Sequence, residues 1–479
     1  MQSGVWWLGD AERRDPLPSR PVLDGEIRAD VCVVGGGYTG LWAAIELAEE
    51  APDLDVVVLE SRRCGFGPSG RNGGWVTGWH DELDSLIDHF GVEEGLRLAG
   101  RSAWAIRRIR DFTAEHEIDC DLRARGVLWT ASTPGQVGAW EPALSACAEH
   151  GRGEYLKPLE LTDLRERTGV SILQGGGACQ TDGATVQPAL LAFGLARVAE
   201  RLGVRIYEVS PMRALRTEGT PTVVTERGRV EADRVVLATG AWSAELKQLR
   251  RSIVPVGTMI VATAPIEDER LHRAWFDGFA FGDSQLRVHY SQVTPDKRII
   301  FGRGGGALGP RGKVIARHFD DPEISASVAA DFRRWFPDLR DVPLTHTWGG
   351  PVDRTPGHLP FVGQLDDGGR VVYGFGYSGN GVGPSALIGR ILGRTTLGIV
   401  DEDTTGALTH GPIGLLPPEP LRSIGGHLVQ RAVVAAEERD RDGKVSVPGS
   451  AAALRQLVLA RVPAALDPRH RREYGSRLH

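Results

Sequence analysis

The segment "ADVCVVGGGYTGLWAAIELAEEAPDLDVVVLE", residues 29–60, constrains the fold more than any other stretch of the chain. A short apolar run (29–34) meets three glycines, then a helical pattern (38–50) closed by Pro52, then a second apolar run (54–60). Strand, turn, helix and strand in so few residues form a βαβ unit, which requires a parallel sheet. The strands are continuously apolar rather than alternating, so both faces of that sheet are covered. Gly35, Gly37 and Gly40 fall in G-x-G-x-x-G spacing, and Glu60 lies twenty residues further on, at the end of the second strand. Such glycines serve a tight turn, close approach to a pyrophosphate and helix–strand packing, while the acidic residue accepts hydrogen bonds from a ribose. Tyr38 and Thr39 lie within the same turn, at the helix N-terminus that favours phosphate.

Glu60 disfavours a 2′-phosphorylated nucleotide but does not separate NAD from FAD. The stretch that follows does. Ser61 and Arg62 lead into "CGFGPSGRNGGW", where Ser69, Gly70, Arg71, Asn72, Gly73 and Gly74 precede Trp75. Nothing obliges a nicotinamide enzyme to place a glycine-rich loop here. FAD is longer, and its isoalloxazine needs backbone laid flat beneath it, with donors from Ser69, Arg71 and Asn72. Two later segments agree. "VVLATGAWS" sets Thr239 and Gly240 at a strand end, and "GNGVGPSALIGR" (Gly379, Asn380, Gly381, Val382) opens a helix whose N–H groups suit the negative charge of a reduced flavin.

The bulk properties narrow the rest. The chain has 479 residues and a net charge of −6, so it has room for more than one domain and carries no broad basic face for nucleic acid. The five cysteines (Cys32, Cys64, Cys120, Cys147, Cys179) have no metal-ligand spacing and read as reduced thiols of a cytoplasmic protein, with no metal site. No apolar run reaches membrane-spanning length, and no secretory leader is evident. Residues 1–28 read as an irregular lead-in, and a helix is expected near 420–438.

On "VVGGGYTG…VVVLE", "GPSGRNGGW", "DGATVQP", "VVLATGAWS", "LRVHYSQVTPDKRIIFG", "WGGPVDRTPGHLPFVG" and "GNGVGPSALIG", the chain resembles the D-amino-acid-oxidase/glycine-oxidase superfamily of FAD-dependent amine oxidoreductases over about residues 28–395. The "SGRNGG" loop is similar to that of its gamma-glutamylputrescine oxidase-like branch. The resemblance implies an α/β chain with a Rossmann-type FAD-binding domain (24–100, 181–248, 345–400). Interleaved with it is a mixed, largely antiparallel substrate domain (101–180, 249–344), and a helical or irregular C-terminal extension (401–479) follows. It also implies oxidation of an amine C–N bond; hydride transfer to flavin N5 is the expected step, with oxygen, or else another electron acceptor, reoxidising the cofactor. Where relatives carry a cysteine or histidine that attaches FAD covalently, this chain has neither, so non-covalent FAD is expected.

The resemblance bears on substrate as well. The place of the carboxylate-binding arginine in glycine-oxidase-like members is held by Val352, and that of a carboxylate-binding lysine in sarcosine-oxidase-like members by Gly383. A plain α-amino acid is thereby disfavoured against an amine or polyamine derivative. Tyr290 matches a cavity tyrosine and is expected to orient the amine, with Val352, Arg354, Arg303 and Trp75 as further pocket residues. Two rival readings stand beside this one: a FAD-bearing subunit that needs a partner on the 401–479 tail, and a nicotinamide dehydrogenase.

Overall fold

A computed structural model describes residues 1–267, 270, 278, 280–366 and 368–443. The described residues form two large sheets. The first contains a parallel row, Arg205–Tyr207, Val56–Leu59, Gly25–Val34, Gly228–Leu237 and Val371–Phe375, with antiparallel strands added alongside the last two. Its first strand explains its own composition: Val31 and Val33 enter one apolar cluster, and Cys32 and Val34 enter the cluster on the opposite face. Helix Tyr38–Glu50 then lies against helix Pro384–Leu397. Gly389 and Gly393 allow that close crossing, since a Cβ on Gly393 would come within 2.9 Å of Glu46 Cβ.

The second sheet has nine strands among the described residues and is mostly antiparallel. From Leu344–Arg354 it runs through Val254–Thr263, Ile299–Arg303, His289–Val293 and Ala280–Asp283 to Val127–Thr130, Gly177–Gln180 and Leu156–Leu159. Opposite residues in its antiparallel ladders share a face. One face therefore carries Tyr290, Gln292, Gly302, Ile260, Trp348, Gly350, Val352 and Arg354. The other carries His289, Arg303, Met259 and Phe301, and helix Pro322–Trp335 packs there with Phe332 and Trp335.

The N-terminus departs from the irregular lead-in expected of it. Gln2–Ser3 pairs in parallel with Leu344–Arg354, and Trp6–Arg14 is a helix with Trp6 and Trp7 buried. The helix is only nine residues long and has no side-chain N-cap, so its stability comes from the two buried indoles rather than from local signals. The tail helix spans Leu421–Arg441, close to its expected place. All five cysteines are buried and free. Among the described residues, no helix is long and apolar enough to cross a membrane.

Candidate functional site

Three glycine-rich elements, far apart in sequence, meet at the end of the parallel strands. The first is the turn after Gly25–Val34. Gly35 sits at φ +117°, and a Cβ there would collide with the Ala238 carbonyl oxygen. That approach holds the turn against the end of the neighbouring strand, just before Thr239. The Gly36 N–H donates to Glu60 Oε2 at 2.8 Å, and Glu60 Oε1 accepts from the Arg62 N–H and the Ser61 hydroxyl. Burial pushes the Glu60 carboxyl up, while these donors pull it back. Ser69 Oγ accepts from the Tyr38 N–H at 2.9 Å, which ties the second loop to the helix start. Among the described residues, the Gly37 and Thr39 N–H groups have no protein acceptor. The Tyr38 ring itself turns away, its hydroxyl donating to Pro188 O at 2.7 Å.

The second element is Ser69–Trp75. Asn72 spends its amide on the loop: Nδ2 donates to Pro68 O and Ser69 O, and Oδ1 accepts from the Gly74 N–H at 2.7 Å. Gly74 is at φ +75°, where a side chain would be strained and would strike Gln292 and the Val186 carbonyl. Three side chains from remote segments hold consecutive carbonyls of the loop. Trp348 Nε1 donates to Arg71 O (2.9 Å), Trp7 Nε1 to Asn72 O (3.0 Å) and Gln292 Nε2 to Gly73 O (2.7 Å). The residues that fix the loop were thus missed in the sequence, because their roles depend on long-range packing. The Arg71 guanidinium is buried over the Phe66 and Phe319 rings, with Nε donating to Phe66 O at 2.6 Å. Burial, aided by the charge of Arg62, lowers its pKa to about 10, so it stays cationic at neutral pH.

The third element is Gly379–Val382, ahead of helix Pro384–Leu397. Asn380 ties it to the chain just after the second: Oδ1 accepts from Thr77 Oγ1 and Nδ2 donates to Gly78 O, each at 3.0 Å. Thr39 Oγ1 and the Tyr377 hydroxyl, 2.6 Å apart, join it to the first. Thr239 pairs with Ser243 at 2.7 Å, and Gly240 opens a short helical turn at φ +49°.

The sheet face that meets these loops carries most of the expected pocket residues. Tyr290 is pressed between Gly73 and Gly302, with a Cβ on Gly73 coming 2.7 Å from the ring. Trp75 meets Tyr290 edge-on at 6.2 Å and donates from Nε1 to Ser291 O. Burial raises the Tyr290 phenol, which also hydrogen-bonds Thr258, so it is neutral at physiological pH. Val352 and Arg354 lie on this face too, and Arg354 Nη2 is 3.2 Å from His358 Nε2. Burial lowers the Arg354 pKa, with Glu82 opposing.

The structure does not bring Arg303 to this face, which corrects its place among the pocket residues. Arg303 stands opposite His289 in the ladder, and its guanidinium pairs with buried Asp331 on the far side of the sheet. Asp331 is also 3.2 Å from His289 Nε2, and Asp283 is 2.9 Å from Nδ1. Burial opposes charge on the imidazole, yet these two carboxylates hold its pKa above the ordinary value.

A family model described as "FAD dependent oxidoreductase" matches residues 30–395. The chain is 31% identical to the gamma-glutamylputrescine oxidoreductase of Escherichia coli, over 81% of this chain and 89% of that one. It is 31% identical to a probable oxidoreductase, OrdL, of Rhizobium meliloti, over 80% and 87%. Among solved structures, a glycine oxidase from Geobacillus kaustophilus shares the fold with a TM-score of 0.63 at 20% identity, over 78% of this chain and 96% of that one. The residues present fit FAD: the helix start offers unused N–H donors beside Ser69, a carboxylate (Glu60) stands at the end of the second strand as a ribose acceptor would, and a glycine backbone without side chains runs past Tyr290.

Proposed function

We infer that this chain, a member of the FAD-dependent oxidoreductase family, acts on amine CH–NH groups. From that premise we propose that it oxidises the C–N bond of an amine or polyamine derivative to an imine, which hydrolyses to an aldehyde or ketone, with oxygen as the electron acceptor. The observation that supports this reading is the Tyr290 ring lying against Gly73 with Trp75 edge-on to it, an aromatic wall beside the loop assigned to the cofactor. FAD, held non-covalently, supplies the acceptor for the hydride leaving the amine-bearing carbon.

The chain's own residues supply position and electrostatics. The neutral Tyr290 hydroxyl, steadied by Thr258, hydrogen-bonds and orients the amine nitrogen. Ile260 and Val352 give the wall apolar surface that excludes water. Val352 cannot pair with a carboxylate held next to the reacting carbon. Arg354, two residues along the same face, offers a cation further out, which suits an amine bearing a distant anionic group. The N-terminus of helix Pro384–Leu397, which follows Gly381 and Val382, would offer its positive end to negative charge on a reduced flavin. We assign residues 24–100, 181–248 and 345–400 to the FAD domain, 101–180 and 249–344 to the substrate domain, and 401–479 to the extension.

The test is an amine panel (putrescine derivatives, N-methyl amines, aminophosphonates, D-amino acids) on FAD-loaded protein, read by peroxide release and by anaerobic bleaching of the flavin. Turnover of a polyamine derivative with peroxide is the expected result. Bleaching without turnover in air assigns a dehydrogenase, and turnover confined to D-amino acids rejects the substrate reading. A second reading, a subunit completed by a partner, draws on the exposed Leu421, Ile424 and Leu428 of the tail helix. Turnover by the isolated chain rejects it.

A further inference from the structure

A cleft of about 480 Å³ opens on the side of the second sheet away from the flavin loops. Its walls come from the loop after Val127–Thr130 (Ser132, Thr133), from Arg165 and Ser171 around helix Leu161–Thr168, from Arg334 near the end of helix Pro322–Trp335, and from Arg441 at the end of the tail helix. Three guanidinium groups thus converge from three helices, and no carboxylate lines the cleft. Arg334 is the notable member: its Nε and Nη2 are buried and have no hydrogen-bond acceptor among the described residues. Donors on a buried cation are costly to leave unmet. Among the described residues, Arg165 donates to the carbonyls of Ser171 and Leu173. Arg441 has Asp331 as its recorded ion-pair partner, at a long 3.9 Å.

The nearby carboxylates are already engaged. Asp331 serves Arg303 and His289, Asp283 serves His289 and Ser132, and Asp440 accepts from Thr133 and the Gly135 N–H. The positive charge of the cleft is therefore only partly offset within the described residues, by Asp331 on Arg441 and by Asp331 and Asp283 on Arg334 without a hydrogen bond. Arg441 lies beyond residue 395, so the cleft is completed by the extension rather than by the segment matched to the family.

We propose that this cleft is a binding site for a small polyanion, a metabolite carrying two or more phosphate or carboxylate groups, held by Arg165, Arg334 and Arg441 and distinct from the flavin site. Planar guanidinium groups pair in fork geometry with either oxyanion, and the cleft is larger than a single phosphate needs. A ligand there bridges the tail helix to the substrate sheet, so occupancy also anchors the extension.

The experiment is calorimetric titration of the full-length, FAD-loaded protein with citrate and, separately, with inorganic phosphate, chloride keeping ionic strength constant. Saturable binding is expected, weakened about tenfold or more by Arg334→Met or Arg165→Met, with the flavin spectrum unmoved. Tighter binding of citrate assigns a polycarboxylate ligand, and saturation by phosphate alone assigns a phosphorylated one. Heats that never saturate with either anion overturn the proposal, as does affinity undiminished in Arg165→Met. Saturation that shifts the flavin spectrum and survives both substitutions places the anion at the cofactor and also overturns it. If Arg334→Met does not fold, Arg165→Met, at a residue bonded to carbonyl groups, carries the comparison.

Discussion

The two faces of the nine-stranded sheet are built on opposite principles. The face toward the flavin loops is shaped by missing side chains: Gly302 and Gly350 alternate with Tyr290, Trp348 and Val352, and Gly73 lies against it from the loop. The far face is filled, and ionised groups are buried there among aromatic rings in matched sets such as Asp331 with Arg303 and His289. The difference teaches where each kind of substitution is costly. The near face tolerates no added volume, and the far face tolerates no lost charge.

The largest expected effect is on the near side. Gly74→Val forces a β-branched residue to φ +75° against Gln292 and the Val186 carbonyl, and is expected to cost more than about 4 kcal/mol or to expel the loop. Bound flavin after purification and the urea midpoint check it, and full FAD content at wild-type stability would break the contrast. Next is Asp331→Ala, which strands Arg303 and His289 and is expected to cost about 3–5 kcal/mol in urea while leaving flavin content intact.

Asp353 sharpens the comparison because it is a buried carboxylate of the same sheet without a cation. Burial raises its pKa to about 6, although it accepts the Gly376 N–H at 2.6 Å. The folded state then holds a proton that the unfolded chain has released, so this group's contribution to stability falls as pH rises from about 4 to about 6. Asp353→Asn removes that loss, and the difference between variant and wild type is expected to grow across the window to roughly 2–3 kcal/mol. Denaturation at several pH values measures it, and a pH-independent difference would remove Asp353 from the argument. The smallest effect is Tyr290→Phe, which keeps the ring packing but loses the hydroxyl. It is expected to lower kcat/KM for an amine about tenfold with stability nearly unchanged.

Much of the cofactor side was legible because its signals are local. The Gly35, Gly37, Gly40 and Glu60 spacing lies within one βαβ unit, and the SGRNGG run follows directly. The pocket was legible only in part. The alternation of His289 and Tyr290 could be read along one strand, but Arg303 required the register between strands, and register depends on which residues of distant segments pair. Trp7 illustrates the same limit. Nothing in "SGVWWLGDAERR" announces that an indole will donate to a carbonyl 65 residues away, and the short helix carrying it has no capping signal.

That helix has a practical consequence. Gln2 and Ser3 extend the nine-stranded sheet, and Trp7 steadies the glycine-rich loop proposed to lie against the isoalloxazine. Trimming the first fifteen residues for expression would remove both supports, and the sign of it would be a paler preparation rather than an insoluble one.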